Sequence, residues 1–167
     1  MYITGGTAHG HRLLYVAHGE FELGNDGPSV ILVGVDESVT ARRAAAYAAG
    51  LARRQGARVV AVYVAPYGSV LLASPAGPSV LEAENEAHDQ IARELSATLA
   101  GGASEIGISM TFVTAQGDAF HEIARVAKET RADAIVVGAS LKAGHRLLGS
   151  IAIRLVRAGK WPVTVVP

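Results

Sequence analysis

Three short runs of the 167-residue chain are apolar at almost every position, and they cover residues 30–35, 59–64 and 134–138. A strand with one solvated face alternates apolar and polar side chains, and these runs do not alternate. Continuous apolar strands are typical of the centre of a parallel sheet that helices cover on both faces. We therefore predict an α/β fold with these runs as its central strands.

Helical segments separate the strands along the chain. The first is expected to begin at Ser38, a favourable N-cap residue, and to end near residue 55. The residues expected on its sheet-facing side are Ala44, Tyr47, Ala48 and Leu51. Further helices are predicted over residues 79–100, 118–130 and 149–158.

Two further strands complete the sheet. Residues 106–113 alternate between apolar and small or polar side chains, which predicts an edge strand, and Val163–Val166 closes the chain. Right-handed crossovers then give a single-domain, doubly wound parallel sheet of five strands in the order 3-2-1-4-5, numbered along the chain. The first and fourth strands are neighbours whose connections leave in opposite directions, and ligands bind at such a switch point.

Residues 1–29 are predicted to be an N-terminal extension of a domain that covers residues 30–167. The extension is rich in Gly and His and ends in a run of turn-forming residues, with one short strand expected at 12–17. His9 and His11 flank a flexible glycine without a third ligand, so no metal site is assigned. We predict that the extension can be removed without unfolding the domain.

The charge composition excludes several classes of function. Lys plus Arg and Asp plus Glu both number 15, so no net field attracts nucleic acid or an acidic membrane surface. The absence of cysteine excludes disulfides, thiolate metal sites and a cysteine nucleophile. No apolar run approaches the length of a membrane span, and a cytoplasmic protein is expected.

Two segments meet at the predicted switch point. One is Asp36, after the first strand; the other leads from Gly138 to the helix start at Gly149 and Ser150, where backbone N–H groups and the helix dipole favour an anion such as phosphate. Other roles stay open for these residues. Asp36 can simply accept from N–H groups at the next helix start, and Gly34 and Gly138 can serve close helix–sheet packing.

Two blocks resemble the universal stress protein family: residues 33–38, Val-Gly-Val-Asp-Glu-Ser, and Gly138 with Gly149 and Ser150. The resemblance covers residues 30–167 and implies an adenine nucleotide alpha hydrolase-like fold, usually a homodimer, with a regulatory role in the stress response. It also implies ATP, ADP, AMP or cyclic AMP as the ligand, with or without Mg²⁺. By match to the family motif, Asp36 meets the ribose or adenine, Val64 contacts the same part of the nucleotide, and the residues that line the phosphates are Gly138, Gly149 and Ser150.

The phosphate loop departs from the family pattern of Gly, two residues, Gly, nine residues, Gly-Ser. Leu141 stands in place of the second glycine, and seven residues instead of nine lead to Gly149. Lys142, His145 and Arg146 offer cations for a phosphate, although a solvated loop is the simpler role for them. The shorter loop predicts that AMP, cyclic AMP or ADP binds at least as well as ATP, or that none of them binds.

The alternative function is a dimeric interaction module of the same fold that binds no nucleotide. No catalytic residue is assigned, because the sequence shows neither a general base beside a nucleophile nor a Gly-Lys-Ser phosphate motif; slow ATP hydrolysis stays open. Homodimerisation is expected through Val163–Val166, since a strand at a sheet edge leaves unpaired backbone groups.

Overall fold

The computed structural model describes residues 3–8, 11–16, 27–67, 77–140 and 149–167. In chain order the elements are β1 (Ile3–Ala8), β2 (His11–Val16), β3 (Val30–Val35), α1 (Val39–Gln55), β4 (Arg58–Ala65), α2 (Gly77–Ile106), β5 (Met110–Gln116), α3 (Ala119–Glu129), β6 (Ala134–Gly138), α4 (Ser150–Ala158) and β7 (Val163–Val166). None of the described helices combines the length and the apolar character needed to cross a membrane.

Strands β3 to β7 form one parallel sheet in the order β5-β4-β3-β6-β7. Numbered from β3, this is the order 3-2-1-4-5, so the predicted doubly wound fold is confirmed. In the central strand, Leu32 lies beside Val60 on one side and beside Ile135 on the other. Helix α1 leads from β3 to β4 and α4 leads from β6 to β7, so the switch point lies between β3 and β6.

Side chains of the central strands alternate between two cores, one on each face of the sheet. On the α3/α4 face the core includes Leu32, Val62, Ile123, Ile135 and Leu155. On the α1/α2 face it includes Ile31, Val33, Ala48, Ala61 and Tyr63. Helices on both faces therefore explain why the central strands carry no polar alternation.

The start of the sheet is held by one carboxylate. Asp133 Oδ2 accepts hydrogen bonds from the backbone N atoms of Ser29 and Val30 at 2.8 and 2.9 Å, and the Asp133 N–H donates to the Val30 carbonyl at 2.9 Å. These bonds fix the beginning of β3 against the turn before β6 and so set the two switch-point strands in register.

The N-terminal segment contains a hairpin rather than a single strand. Strands β1 and β2 pair antiparallel, with Ile3 opposite Val16 and Ala8 opposite His11, and form a sheet of their own. Only the second strand was predicted, because two glycines weaken the strand signal of residues 3–8. His9 lies outside the described residues, and the dispensability of residues 1–29 stays a prediction.

Helix α2 is longer than the predicted 79–100, since it covers Gly77–Ile106. It ends where Gly107 takes a φ of 68°, a left-handed conformation that glycine adopts readily. Ile106 therefore belongs to the helix, and the predicted start of the third strand at residue 106 was wrong: β5 begins at Met110. Its position at the sheet edge is confirmed.

Helix α1 begins at the predicted N-cap, where Ser38 Oγ accepts from the Ala41 N–H at 3.0 Å. Its sheet-facing side is built from buried alanines, among them Ala44 and Ala48. Tyr47 remains 44% exposed, so its predicted place on that side was wrong. The buried stripe of α1 is centred between Ala44 and Ala45, and Tyr47 lies roughly 120° around the helix from its centre.

Candidate functional site

A cavity of about 520 Å³ opens at the carboxyl ends of the central strands, and we call it the switch-point cavity. The five residues assigned from the sequence all line it: Asp36, Val64, Gly138, Gly149 and Ser150. They come from the β3–α1 turn, the ends of β4 and β6, and the start of α4. The volume lies within the range of cavities that hold small molecules.

The floor of the switch-point cavity is apolar. Val62, Val64 and Val137 line it from the sheet, and Ile123 lines it from α3. Gly34 lies among them: a Cβ atom there would be 3.3 Å from Ile123 Cδ1 and 3.4 Å from Val137 Cγ1. Both contacts are with side-chain ends, so the missing side chain of Gly34 widens the cavity floor.

Gly138 has a packing role at the end of β6. A Cβ atom there would be 2.6 Å from the backbone C atom of Thr40 and 2.8 Å from the N atom of Ala41. Glycine is therefore required for the first turn of α1 to lie this close to the strand. The same close approach brings Thr40 and Ala41 to the cavity wall.

Asp36 is exposed at the rim of the cavity. Its Oδ1 atom accepts from the Ser38 N–H at 2.8 Å, which is the helix-start role that the sequence left open. Among the described residues, its Oδ2 atom has no hydrogen-bond partner. The carboxylate can therefore orient the turn before α1 and still accept from a ligand hydroxyl.

The start of α4 forms the opposite wall. Gly149 is its N-cap, and within the described part of the chain no side chain caps this helix. Its first-turn residues Ser150, Ile151 and Ala152 line the cavity, so their N–H groups present a positive helix end to it. A Cβ atom on Gly149 would be 2.9 Å from Ser140 Cβ, which shows that the two ends of the phosphate loop lie close together.

The residues in which the phosphate loop departs from the family pattern fall between those two ends. Leu141, Lys142, His145 and Arg146 lie outside the described residues. The effect of the shorter loop on phosphate binding therefore stays a prediction.

Sequence reasoning missed the contribution of helix α3, which supplies Ala119 and Ile123 to the cavity. The helix begins at Asp118, whose Oδ1 accepts from the His121 N–H at 3.0 Å. Because α3 follows the edge strand, it was not expected near the switch point, but the crossover from β5 back to β6 carries it across that face. The sequence did contain a signal for the position of α3: the Gly-Asp pair that starts the helix, combined with the predicted strand order.

An ion pair joins the two helices on this side of the cavity. Arg154 Nη1 lies 2.8 Å from Asp118 Oδ2, and the Arg154 guanidinium carbon lies 4.3 Å from the centre of the Phe120 ring. The hydrogen bond from Arg154, followed by that from the His121 N–H, lowers the pKa of the Asp118 carboxyl below its usual value. The pair thus ties the start of α3 to α4, and both helix starts line the cavity.

The Asp118→Ala variant is expected to lower the free energy of unfolding by about 1 kcal/mol, because α3 loses its N-cap. Asp118→Asn, which keeps a capping oxygen, is the matched control and should lose less. The folded pKa is below the unfolded one, so the carboxylate contribution is present above about pH 4 and is lost as the pH falls through the lowered pKa. Urea unfolding of the wild type and Asp118→Ala measures this, and an equal difference at about pH 7 and about pH 3 would contradict the prediction.

An open parallel sheet whose connections reverse direction between β3 and β6 defines an α/β protein of the doubly wound class. The chain belongs to the universal stress protein family, whose model matches residues 29–167. The family resemblance and the fold predicted from the sequence are thereby confirmed.

Solved structures agree with this assignment. The universal stress protein UspA from Lactobacillus plantarum is 27% identical, with a TM-score of 0.72 over 86% of this chain and 100% of that one. A universal stress family protein from Burkholderia pseudomallei is 26% identical, with a TM-score of 0.65 over 83% of this chain and 96% of that one. A universal stress protein solved in complex with cAMP is 26% identical, with a TM-score of 0.64 over 85% of this chain and 99% of that one. No curated protein matches the chain.

Proposed function

We propose that this protein is a cytoplasmic regulatory protein that binds an adenine nucleotide in the switch-point cavity. The observation that carries the proposal is the convergence of Asp36, Val64, Gly138, Gly149 and Ser150, from separate segments of the chain, on one cavity. The complex of a 26% identical universal stress protein with cAMP supports the choice of ligand class. The role proposed is ligand-dependent regulation rather than catalysis.

Each part of the nucleotide has a chemically suitable wall. The apolar floor around Val62 and Val64 suits the adenine ring, and the open oxygen of Asp36 suits a ribose hydroxyl. A phosphate fits the start of α4, where Ser150 offers a hydroxyl and the helix offers backbone N–H groups. One such helix end is enough for a single phosphate, which favours AMP or cyclic AMP over a tightly held triphosphate.

The Gly34→Val variant tests this site directly. The added side chain occupies the cavity floor, so we expect its dissociation constant for AMP or cyclic AMP to rise at least tenfold, about 1.4 kcal/mol. Gly101→Val is the matched control, because a Cβ atom at Gly101 has no neighbour within 4 Å in the described part of the chain and Gly101 is not among the described residues of the cavity lining. Calorimetry with AMP, cyclic AMP, ADP and ATP measures both.

Three results would count against these expectations. If no nucleotide binds the wild type, the proposal fails and the interaction-module alternative takes its place. If Gly34→Val binds as the wild type does, the nucleotide lies elsewhere. If ATP binds tenfold or more tightly than AMP, the two-residue shortening of the loop does not weaken triphosphate binding.

We also propose that the protein is a homodimer through β7, the edge strand opposite β5. The carbonyls of Pro162 and Val166 accept from the N–H groups of Ile135 in β6 and of Ala139 directly after it, at 2.9 and 2.7 Å. These even-numbered positions therefore turn their polar backbone groups inward. Val163 and Val165 therefore turn theirs to the open edge. A second copy related by a two-fold axis can pair with that edge and satisfy the exposed groups.

The Val165→Pro variant is expected to convert the dimer to a monomer, because proline removes an outward N–H group and blocks the edge. Val165→Ala is the matched control: it shortens the side chain, keeps the N–H group and should remain dimeric. Light scattering and sedimentation at micromolar concentration measure the mass. A monomeric wild type, or a dimeric Val165→Pro, would contradict pairing through this edge. Val165→Lys should likewise weaken the dimer more than the fold.

A further inference from the structure

A second cavity of about 430 Å³ lies beneath α2 at the carboxyl ends of β4 and β5, and we call it the α2 cavity. It is on the α1/α2 face of the sheet, opposite the floor of the switch-point cavity, and none of the described residues lines both cavities. Its polar lining residues are Tyr63, Asn85, His88, Asp89, Thr114 and Gln116. The proposed nucleotide site uses none of them.

A hydrogen-bonded pair forms the inner wall of the α2 cavity. Tyr63 is 6% exposed, and its hydroxyl oxygen lies 2.9 Å from Nδ1 of His88. Burial, followed by the nearby carboxylates of Glu37 and Asp36, raises the pKa of Tyr63, so its hydroxyl stays protonated at neutral pH. His88 itself is half-buried. The pair rigidifies the wall and leaves the Tyr63 oxygen able to take one further hydrogen bond.

The lining of the α2 cavity is rich in acceptors and negatively charged. Asp89 contributes a carboxylate from α2, and the described residues of the lining include neither lysine nor arginine. Asp36 and Glu37 add negative potential at the Tyr63 hydroxyl. Asn85, Thr114 and Gln116 offer amide and hydroxyl groups that can both donate and accept. An anion is therefore repelled here, whereas a cation with hydrogen-bonding groups is attracted.

We propose that the α2 cavity binds a small organic cation, a protonated amine that also carries hydroxyl groups. The ammonium group pairs with the Asp89 carboxylate and lies near the Tyr63 ring, and the hydroxyl groups bond to Asn85, Thr114 and Gln116. A bare metal ion is a poorer fit, because among the described residues no group of three metal-ligating side chains exists. The volume also exceeds what a single ion would fill.

A series of three open-chain polyols that differ in charge tests the proposal on the full chain. Glucamine carries an amine, sorbitol is neutral and gluconate carries a carboxylate, while the hydroxyl-bearing carbon chain is closely similar. Titration followed by ligand-observed nuclear magnetic resonance at millimolar concentrations measures each affinity. We expect glucamine to bind at least tenfold more tightly than sorbitol and gluconate to show no binding.

Two variants then locate the binding. Asp89→Asn should reduce the preference for glucamine over sorbitol to less than threefold. Glu94→Gln removes one negative charge from the same helix outside the cavity lining and should leave that preference unchanged. The proposal is overturned if none of the three compounds binds, if gluconate or sorbitol binds as tightly as glucamine, or if Asp89→Asn keeps the wild-type preference.

Discussion

Replacing Gly138 with alanine is expected to lower the free energy of unfolding by about 3 kcal/mol. The added methyl group would lie 2.6 Å from a backbone carbon of Thr40 and 2.8 Å from the backbone nitrogen of Ala41. Those atoms belong to the first turn of α1, so no side-chain rotation can relieve the overlap and the helix start has to move. Urea or thermal unfolding of the purified variant measures the loss.

The matched control for Gly138→Ala is Gly101→Ala in α2. A Cβ atom at Gly101 would have no neighbour within 4 Å among the residues that the structure describes. Alanine favours a helix over glycine, so this variant should gain about 0.5 to 1 kcal/mol. The two substitutions are chemically identical and are expected to have opposite signs. A neutral Gly138→Ala would show that α1 can shift without cost and that Gly138 is retained for another reason.

A displaced α1 would also change the switch-point cavity, because Thr40 and Ala41 line it. If the variant still folds, we expect weaker nucleotide binding together with its lower stability. Gly34→Val, in contrast, should weaken nucleotide binding with a smaller loss of stability than Gly138→Ala, since the added Cβ atom meets ends of side chains rather than backbone. The comparison distinguishes Gly138, which is needed for packing of α1 against β6, from Gly34, which leaves space for a ligand in the cavity.

Ile135→Ala is expected to lower the free energy of unfolding by about 4 kcal/mol. Ile135 is completely buried on the α3/α4 face, where it pairs in register with Leu32 on β3 and with Val163 on β7. Removing most of this side chain loses apolar burial and leaves a cavity between strands that cannot close around it. Chemical denaturation measures the effect.

Ile153→Ala is the matched control for the core variant, because Ile153 is 37% exposed on α4 and the same atoms are removed. Its unfolding free energy should change by less than about 1 kcal/mol. Similar losses for both variants would indicate that Ile153 is covered by a second copy of the chain, and sedimentation of the variant would then show altered dimerisation.

Much of the fold follows from patterns that are visible in the sequence. Runs without polar alternation mark the central strands, the alternating run marks the edge, and the right-handed crossover rule leaves few sheet orders to consider. The same rules place Asp36 and Gly138 at one switch point, because the carboxyl ends of neighbouring parallel strands meet at one edge of the sheet. Assigning the site residues therefore needed only the strand order and the family motif. The role of these residues in nucleotide binding stays a prediction.

Features that depend on the distance between elements were not predictable in this way. Tyr47 is one helical turn from Ala44, but the buried stripe of α1 is centred on the other side of Ala44, so the Tyr47 ring stays 44% exposed. Ile106 continues an alternating pattern, yet helix α2 extends through it until Gly107 turns the chain. In both cases a local pattern was compatible with two structures, and packing selected one of them.

The sequence by itself thus determined the strand order and the set of residues that meet at the switch point, because hydrophobic period and chain topology are properties of the chain alone. Only the tertiary structure decided that Gly138 lies against the backbone of α1 while Gly34 opens the cavity floor, that α3 supplies one wall, and that Tyr63 and His88 pair inside a second cavity. These outcomes depend on contacts of a few ångströms between segments far apart in the chain. Such contacts are set by the volumes of the side chains between the layers, which no local pattern records.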